Sequence, residues 1–104
     1  MADQTKLIEG LQKRLQILED KDALATLLNR YCNIADAKDW EGYADTYVDE
    51  GAKMTLESWG DMVGKENIAK AASVEQVFEG LQHTMTNMEF PVDGSDNATG
   101  IAYL

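Results

Sequence analysis

Apolar residues at positions 24, 27, 28, 31, 34 and 35 follow the i, i+3, i+4, i+7 rule closely and predict an amphipathic helix from Leu24 to Ala35. The pattern stops at a carboxylate, Asp36. Ahead of it, Leu7, Leu11, Leu15 and Leu18, flanked by Ile8 and Ile17, form a short heptad-like stripe. The stripe predicts an N-terminal helical extension over residues 1–20, packed on the body of the domain or on a partner subunit. Asp20-Lys21-Asp22 interrupts it, and Asp22 can cap the helix that follows. Asp39 can cap again, and Trp40, Ala44, Tyr47 and Val48 predict a short helix from Trp40 to Val48.

The period then changes. Gly51 marks a break, and Ala52 to Trp59 alternates Met54 and Leu56 with Lys53, Thr55 and Glu57, as a half-buried strand does. Gly60-Asp61 predicts a hairpin turn returning through Met62-Val63. Lys65 to Ala72 is helix-forming, and Val74, Val77, Phe78 and Leu81 predict a helix continuing to Gly80. From Gln82 to Val92 the period is two, which puts His83, Met85, Asn87 and Glu89 on one face of a strand. Asp93-Gly94 predicts a hairpin into a last strand from Ala98 to Leu104.

With 104 residues, one domain with a modest core is expected. The formal charge of −10 argues against nucleic acid and anionic membrane surfaces as partners, since both demand positive charge. Cys32 is the single cysteine, so no intramolecular disulfide or cysteine metal cluster can be drawn, and its place beside the apolar helix face predicts a buried thiol. The N-terminus has no signal-peptide pattern and no apolar run reaches membrane-spanning length, so a cytoplasmic setting is expected.

Chemistry concentrates on few residues. His83 is the one histidine, and an imidazole can take or give a proton at neutral pH. If the fold brings Asp36 to it, the carboxylate would fix the ring tautomer, as the aspartate of a hydrolytic triad does. Tyr31 lies on the apolar helix face, where it either packs in the core or offers a phenol to a substrate oxygen. Asn87 could hydrogen-bond a ligand from the His83 face, and Trp40, Tyr47, Met54, Phe78 and Met85 could line an apolar pocket or simply fill the core. One histidine and one cysteine are too few for an ordinary metal site, so no metal or cofactor is expected.

Three stretches carry a family resemblance: LLNRYCNIADAKDWEGYADTYVDEGAKM, GKENIAKAA and QHTMTNMEFPVDGSDNATGIAYL. In their order and spacing they resemble the SnoaL-like branch of the NTF2-like superfamily over roughly residues 20 to 104. The resemblance implies an α+β fold, a curved and mostly antiparallel sheet forming a cone with helices packed on its concave side. Family sheets continue for further strands, so the final strands of the cone are expected to be missing here, with an exposed edge that a dimer or trimer could complete.

Dehydratase-like members of the family use an aspartate near the end of the early helix and a histidine on a later strand, and Asp36 and His83 match those positions. Tyr31 falls where some members place a phenol. The resemblance thus implies a cofactor-free lyase or isomerase, dehydratase-like or polyketide cyclase-like, acting on a small hydrophobic carbonyl compound. The alternative is a non-catalytic ligand-binding or oligomerisation module on the same fold.

Overall fold

The computed structural model describes residues 2–104 and has mixed helix and strand architecture. Helix α1 (Ala2–Asp36) is followed by α2 (Trp40–Ala44), strands β1 (Lys53–Leu56) and β2 (Gly60–Val63), helix α3 (Lys65–Ala72), a 3₁₀ turn (Ser73–Val77), and strands β3 (Thr86–Glu89) and β4 (Ile101–Tyr103). The chain divides into two compact units, Met1–Leu28 with Met85–Leu104, and Asn29–Thr84. None of the described helices is long and apolar enough to cross a membrane.

Helix α1 runs unbroken through Asp20-Lys21-Asp22, where the sequence predicts an interruption and a cap at Asp22. An aspartate costs a helix interior no more than about 0.7 kcal/mol relative to alanine, and no proline or glycine stands there to break the ladder. Gln16 adds a bond one turn along, its Nε2 donating to Asp20 Oδ1 at 2.8 Å. The helix instead ends where its apolar face ends. Asp39 N donates to Ile34 O at 3.2 Å and Lys38 N to Ala35 O at 2.9 Å, the paired bonds of a Schellman motif. Lys38 takes the left-handed position at φ 59°, which usually falls to glycine. Its ammonium compensates by reaching the carbonyls of Gln76 and Phe78.

Asp39 caps α2 as the sequence predicts, accepting from Gly42 N at 3.0 Å. A Cβ on Gly42 would lie 2.4 Å from the capping carboxylate, which would have to shift to make room for it. The helix stops at Ala44, short of Val48, with Thr46 and Tyr47 closing a turn onto Tyr43 O and Ala44 O.

The unit Asn29–Thr84 holds the main core, made of Ala35, Tyr43, Ala44, Ala52, Ile68 and Ala69. Four of these six are alanines, and Ala44 on α2 and Ala69 on α3 are small enough for those two helices to approach closely. Ile68 is fully enclosed at 0% exposure. Strands β1 and β2 pair antiparallel with Met54 opposite Met62, both facing this core. Their turn occupies positions 57–59, not Gly60-Asp61; Gly60, at φ 77°, closes it opposite Leu56. On the outer face Thr55 Oγ1 donates to Asp61 at 2.7 Å and Lys53 pairs with the same carboxylate at 3.3 Å.

Helix α3 matches its predicted bounds, but the helix predicted over 74–81 shrinks to the 3₁₀ turn, and Phe78 is already extended. The strand predicted over 82–92 is also short, because β4 offers only Ile101–Tyr103 as a ladder partner. In the unit of residues 1–28 and 85–104, Thr86 pairs with Tyr103 and Glu89 with Ile101, so β3 carries one extra residue. Asn87 is that bulge, at φ 55°. The bulge shifts the alternation: Met85 and Phe90, an odd number apart, line the same hollow. Phe90 also lies against Gly100, where a Cβ would meet its ring at 2.5 Å.

Ile68 has no room to be replaced by anything smaller without leaving a void. Ile68→Ala should lower unfolding free energy by about 2–5 kcal/mol and Ile68→Val by about 0.5–1.5 kcal/mol, read from urea denaturation midpoints at constant slope.

Candidate functional site

Asp36 is the last residue of α1, where the helix dipole disfavours an anion. Two donors from one residue offset that cost. His83 Nδ1 lies 2.6 Å from Asp36 Oδ1, and His83 N donates to Oδ1 at 2.9 Å and Oδ2 at 3.1 Å. The predicted pair therefore meets, although His83 sits in an irregular segment before β3 and not within a strand. Its ring is partly covered, with 18% of the side chain exposed against 24% for Asp36.

A carboxylate can only accept, so Nδ1 carries a hydrogen and Nε2 is the nitrogen free to exchange a proton. Nε2 faces a second carboxylate, Glu75 Oε2, at 3.4 Å. The imidazole thus lies between two acid groups, one from the end of α1 and one from the 3₁₀ turn. In its neutral form the ring can donate to one of them, and in its protonated form to both. Glu75 escapes detection in the sequence because the predicted helix over 74–81 would orient it differently; the 3₁₀ turn decides where it points. Cys32, one turn before Asp36, is buried. Burial and, secondarily, the Asp36 charge push its thiol pKa up, which keeps it a poor nucleophile.

Tyr31 belongs to a cluster of phenols. Its hydroxyl lies 2.9 Å from that of Tyr43, which lies 3.2 Å from that of Tyr47. The rings pack with centroids 5.0 Å apart for Tyr31–Tyr43 and 5.6 Å for Tyr43–Tyr47. Tyr43 is the hub and the most buried of the three, and the sequence reading overlooks it. The i, i+4 spacing of Tyr43 and Tyr47 was the available signal. Three hydroxyls carry three protons and share two bonds, so one O–H remains to donate elsewhere.

The remaining candidates are dispersed. Tyr47 and Met54 pack against the core of their unit. Trp40 Nε1 donates to Gln76 Oε1 at 2.8 Å, and the ring edges a groove with Glu41, Asp45, Lys65 and Lys70 that neither Asp36 nor His83 lines. Phe78 is 56% exposed, and the chain turns extended there. Asn87, taken up by the bulge, is exposed and does not share a regular strand face with His83. Met85, in the other unit, lines an apolar hollow of about 240 Å³ with Leu24, Leu27, Leu28 and Phe90. Among the described residues no three histidine, cysteine, aspartate or glutamate side chains are grouped so as to hold a metal ion.

Burial pushes the Tyr47 pKa up to about 12, and burial together with bonds to its two neighbours raises that of Tyr43 further. These phenols are donors, not bases, at neutral pH. A raised phenol pKa means the folded state holds protons that the unfolded chain has released. Stability is therefore complete below about pH 10, the ordinary tyrosine value, and falls as pH climbs toward the folded values. A pH series of denaturation midpoints should show this alkaline loss, and Tyr43→Phe should flatten it.

Residues 16–104 match the SnoaL-like domain family. Among solved structures, an NTF2-like protein with a cystatin-like fold from Novosphingobium aromaticivorans is similar at 26% identity and a TM-score of 0.74, over 86% of this chain. The chain spans 60% of that protein's length. No curated protein matches the sequence. The matched span takes in helix α1 from Gln16 onward, the Asp36–His83 pair and the tyrosine cluster, and the chain belongs to the SnoaL-like domain family, with an α+β NTF2-like fold.

Proposed function

We propose that the chain carries out cofactor-free proton transfer at carbon, as a lyase or isomerase acting on a small hydrophobic carbonyl compound. The observation that carries this reading is the 2.6 Å contact between His83 Nδ1 and Asp36, with the His83 backbone bound to the same carboxylate. It fixes both ring orientation and tautomer, the preparation a general base needs. Nε2 takes a proton from carbon next to a carbonyl, and Asp36 stabilises the imidazolium that forms. Glu75 is close enough to receive a proton from Nε2 and reset the ring. The spare O–H of the tyrosine chain is suited to an oxygen on which charge develops, with Tyr31 as its donor. Loss of the hydroxyl from the neighbouring carbon as water, carrying off the proton held by the His83 imidazolium, gives a dehydratase; return of that proton to another carbon gives an isomerase.

A second reading has its own support. Asp36 spends two of its contacts on the His83 backbone, as a structural clamp would, and NTF2-like scaffolds also suit simple ligand binding. The two readings separate in one experiment. Deuterium wash-in next to the carbonyl of hydrophobic ketones such as 2-tetralone should be accelerated by the wild-type chain in D₂O, followed by NMR. His83→Gln should lose about 10²–10⁴-fold of that rate, the usual contribution of a general base. Asp36→Asn should slow exchange while leaving ketone binding in place. Binding without exchange in the wild type would favour the binding module.

A further inference from the structure

Helix α1 presents two opposite faces. Ile17, Asp20 and Leu24 are half-buried: Ile17 Cγ1 lies 4.0 Å from a Cβ position on Gly94, and Leu24 lines the hollow with Phe90. Ile8, Leu11 and Leu15 stand nine residues before each of these in turn. At about 100° per residue, nine residues turn the helix through roughly 180°. They therefore lie on the side of α1 away from the segment that covers it, and residues 85–104 cannot serve both faces. With Leu7 and Leu18 they are 51% to 63% exposed, a continuous apolar seam in open solvent.

The geometry points to a second copy of this chain as the occupant, paired through residues 7–18 as a short parallel coiled coil. The spacing Ile8, Leu11, Leu15, Leu18 alternates three and four, which assigns Ile8 and Leu15 to position a and Leu11 and Leu18 to position d. A β-branched residue at a with leucine at d suits two strands. The flanks decide direction. Arg14 and Lys21 fall at g, Gln12 and Glu19 at e. Parallel helices put g of one chain against the following e of the other, so Arg14 meets Glu19 twice by symmetry. Antiparallel helices would put Arg14 against Arg14.

Charge also favours this face for self-association. The whole chain carries 9 basic residues against 19 acidic, yet Lys6, Lys13, Arg14 and Lys21 sit here beside Asp3, Glu9, Glu19, Asp20 and Asp22. The segment is nearly neutral, so two copies meet without the repulsion that the rest of the surface imposes. Asp22 at the next a position ends the seam after two heptads, which makes a weak and concentration-dependent dimer the expected form.

Sedimentation equilibrium of the full chain over a wide concentration range tests this. The wild type should shift toward twice the chain mass as concentration rises. Leu11→Lys with Leu15→Lys should abolish the shift without changing helical circular dichroism, since both positions are exposed. Arg14→Glu and Glu19→Arg should each weaken the dimer by about twofold to tenfold, the range expected for exposed ion pairs, and the double reversal should restore it. A chain that stays monomeric at every concentration overturns the proposal, as does a dimer indifferent to the lysine pair. A double reversal that fails to rescue overturns the parallel arrangement. A monomer that sediments with phosphatidylcholine or phosphatidylserine vesicles overturns the second copy in favour of a lipid surface.

Discussion

The carboxylate of Asp36 accepts three hydrogen bonds from His83, and the arrangement of the candidate site depends on that grip. Without it the end of α1 would carry an anion against its own dipole, and the segment around residue 83 would have no fixed anchor on the helix. The ring is oriented by the same contacts that hold the backbone, so structure and chemistry are coupled at one side chain. Any substitution of Asp36 acts on both. Glu75 adds a constraint of its own, because the face of the ring left open by Asp36 is turned toward a second acid group.

The Schellman turn at Lys38 is what makes the grip possible. It stops α1 within two residues of Asp36 and redirects the chain into α2, with the lysine ammonium tied to carbonyls at the end of the 3₁₀ turn. That turn carries Glu75 and leads toward His83. The tyrosine cluster grows from the same junction: Tyr31 from α1, Tyr43 from α2 and Tyr47 from the turn after it. Burial keeps the Tyr43 and Tyr47 phenols protonated, as donors to oxygen.

The amphipathic character of α1 has two separate origins. From Leu24 to Ala35 its apolar residues, Leu27 excepted, are buried or half-buried. From Leu7 to Leu18 the apolar seam faces away from the covering segment and remains exposed. One continuous helix thus joins a stretch that packs within the chain to a stretch suited to packing between chains.

The sequence by itself determined the elements with strong local signals: the apolar face from Leu24 to Ala35, the Asp39 cap and helix Lys65–Ala72, and it singled out Asp36 and the single histidine without bringing them together. Each of these rests on short-range periodicity, capping chemistry or residue scarcity. What only the tertiary structure decided involves partners distant in the chain. The strand predicted over 82–92 lost its ends because β4 is short, and its face was shifted by the bulge at Asn87. The helix predicted to reach Gly80 gave way to a 3₁₀ turn whose last carbonyls meet Lys38. Glu75 joined the site because the 3₁₀ turn and a long-range contact with His83 set its position. Period and propensity act over a few residues, whereas a ladder partner or a second acid on a ring nitrogen comes from tens of residues away.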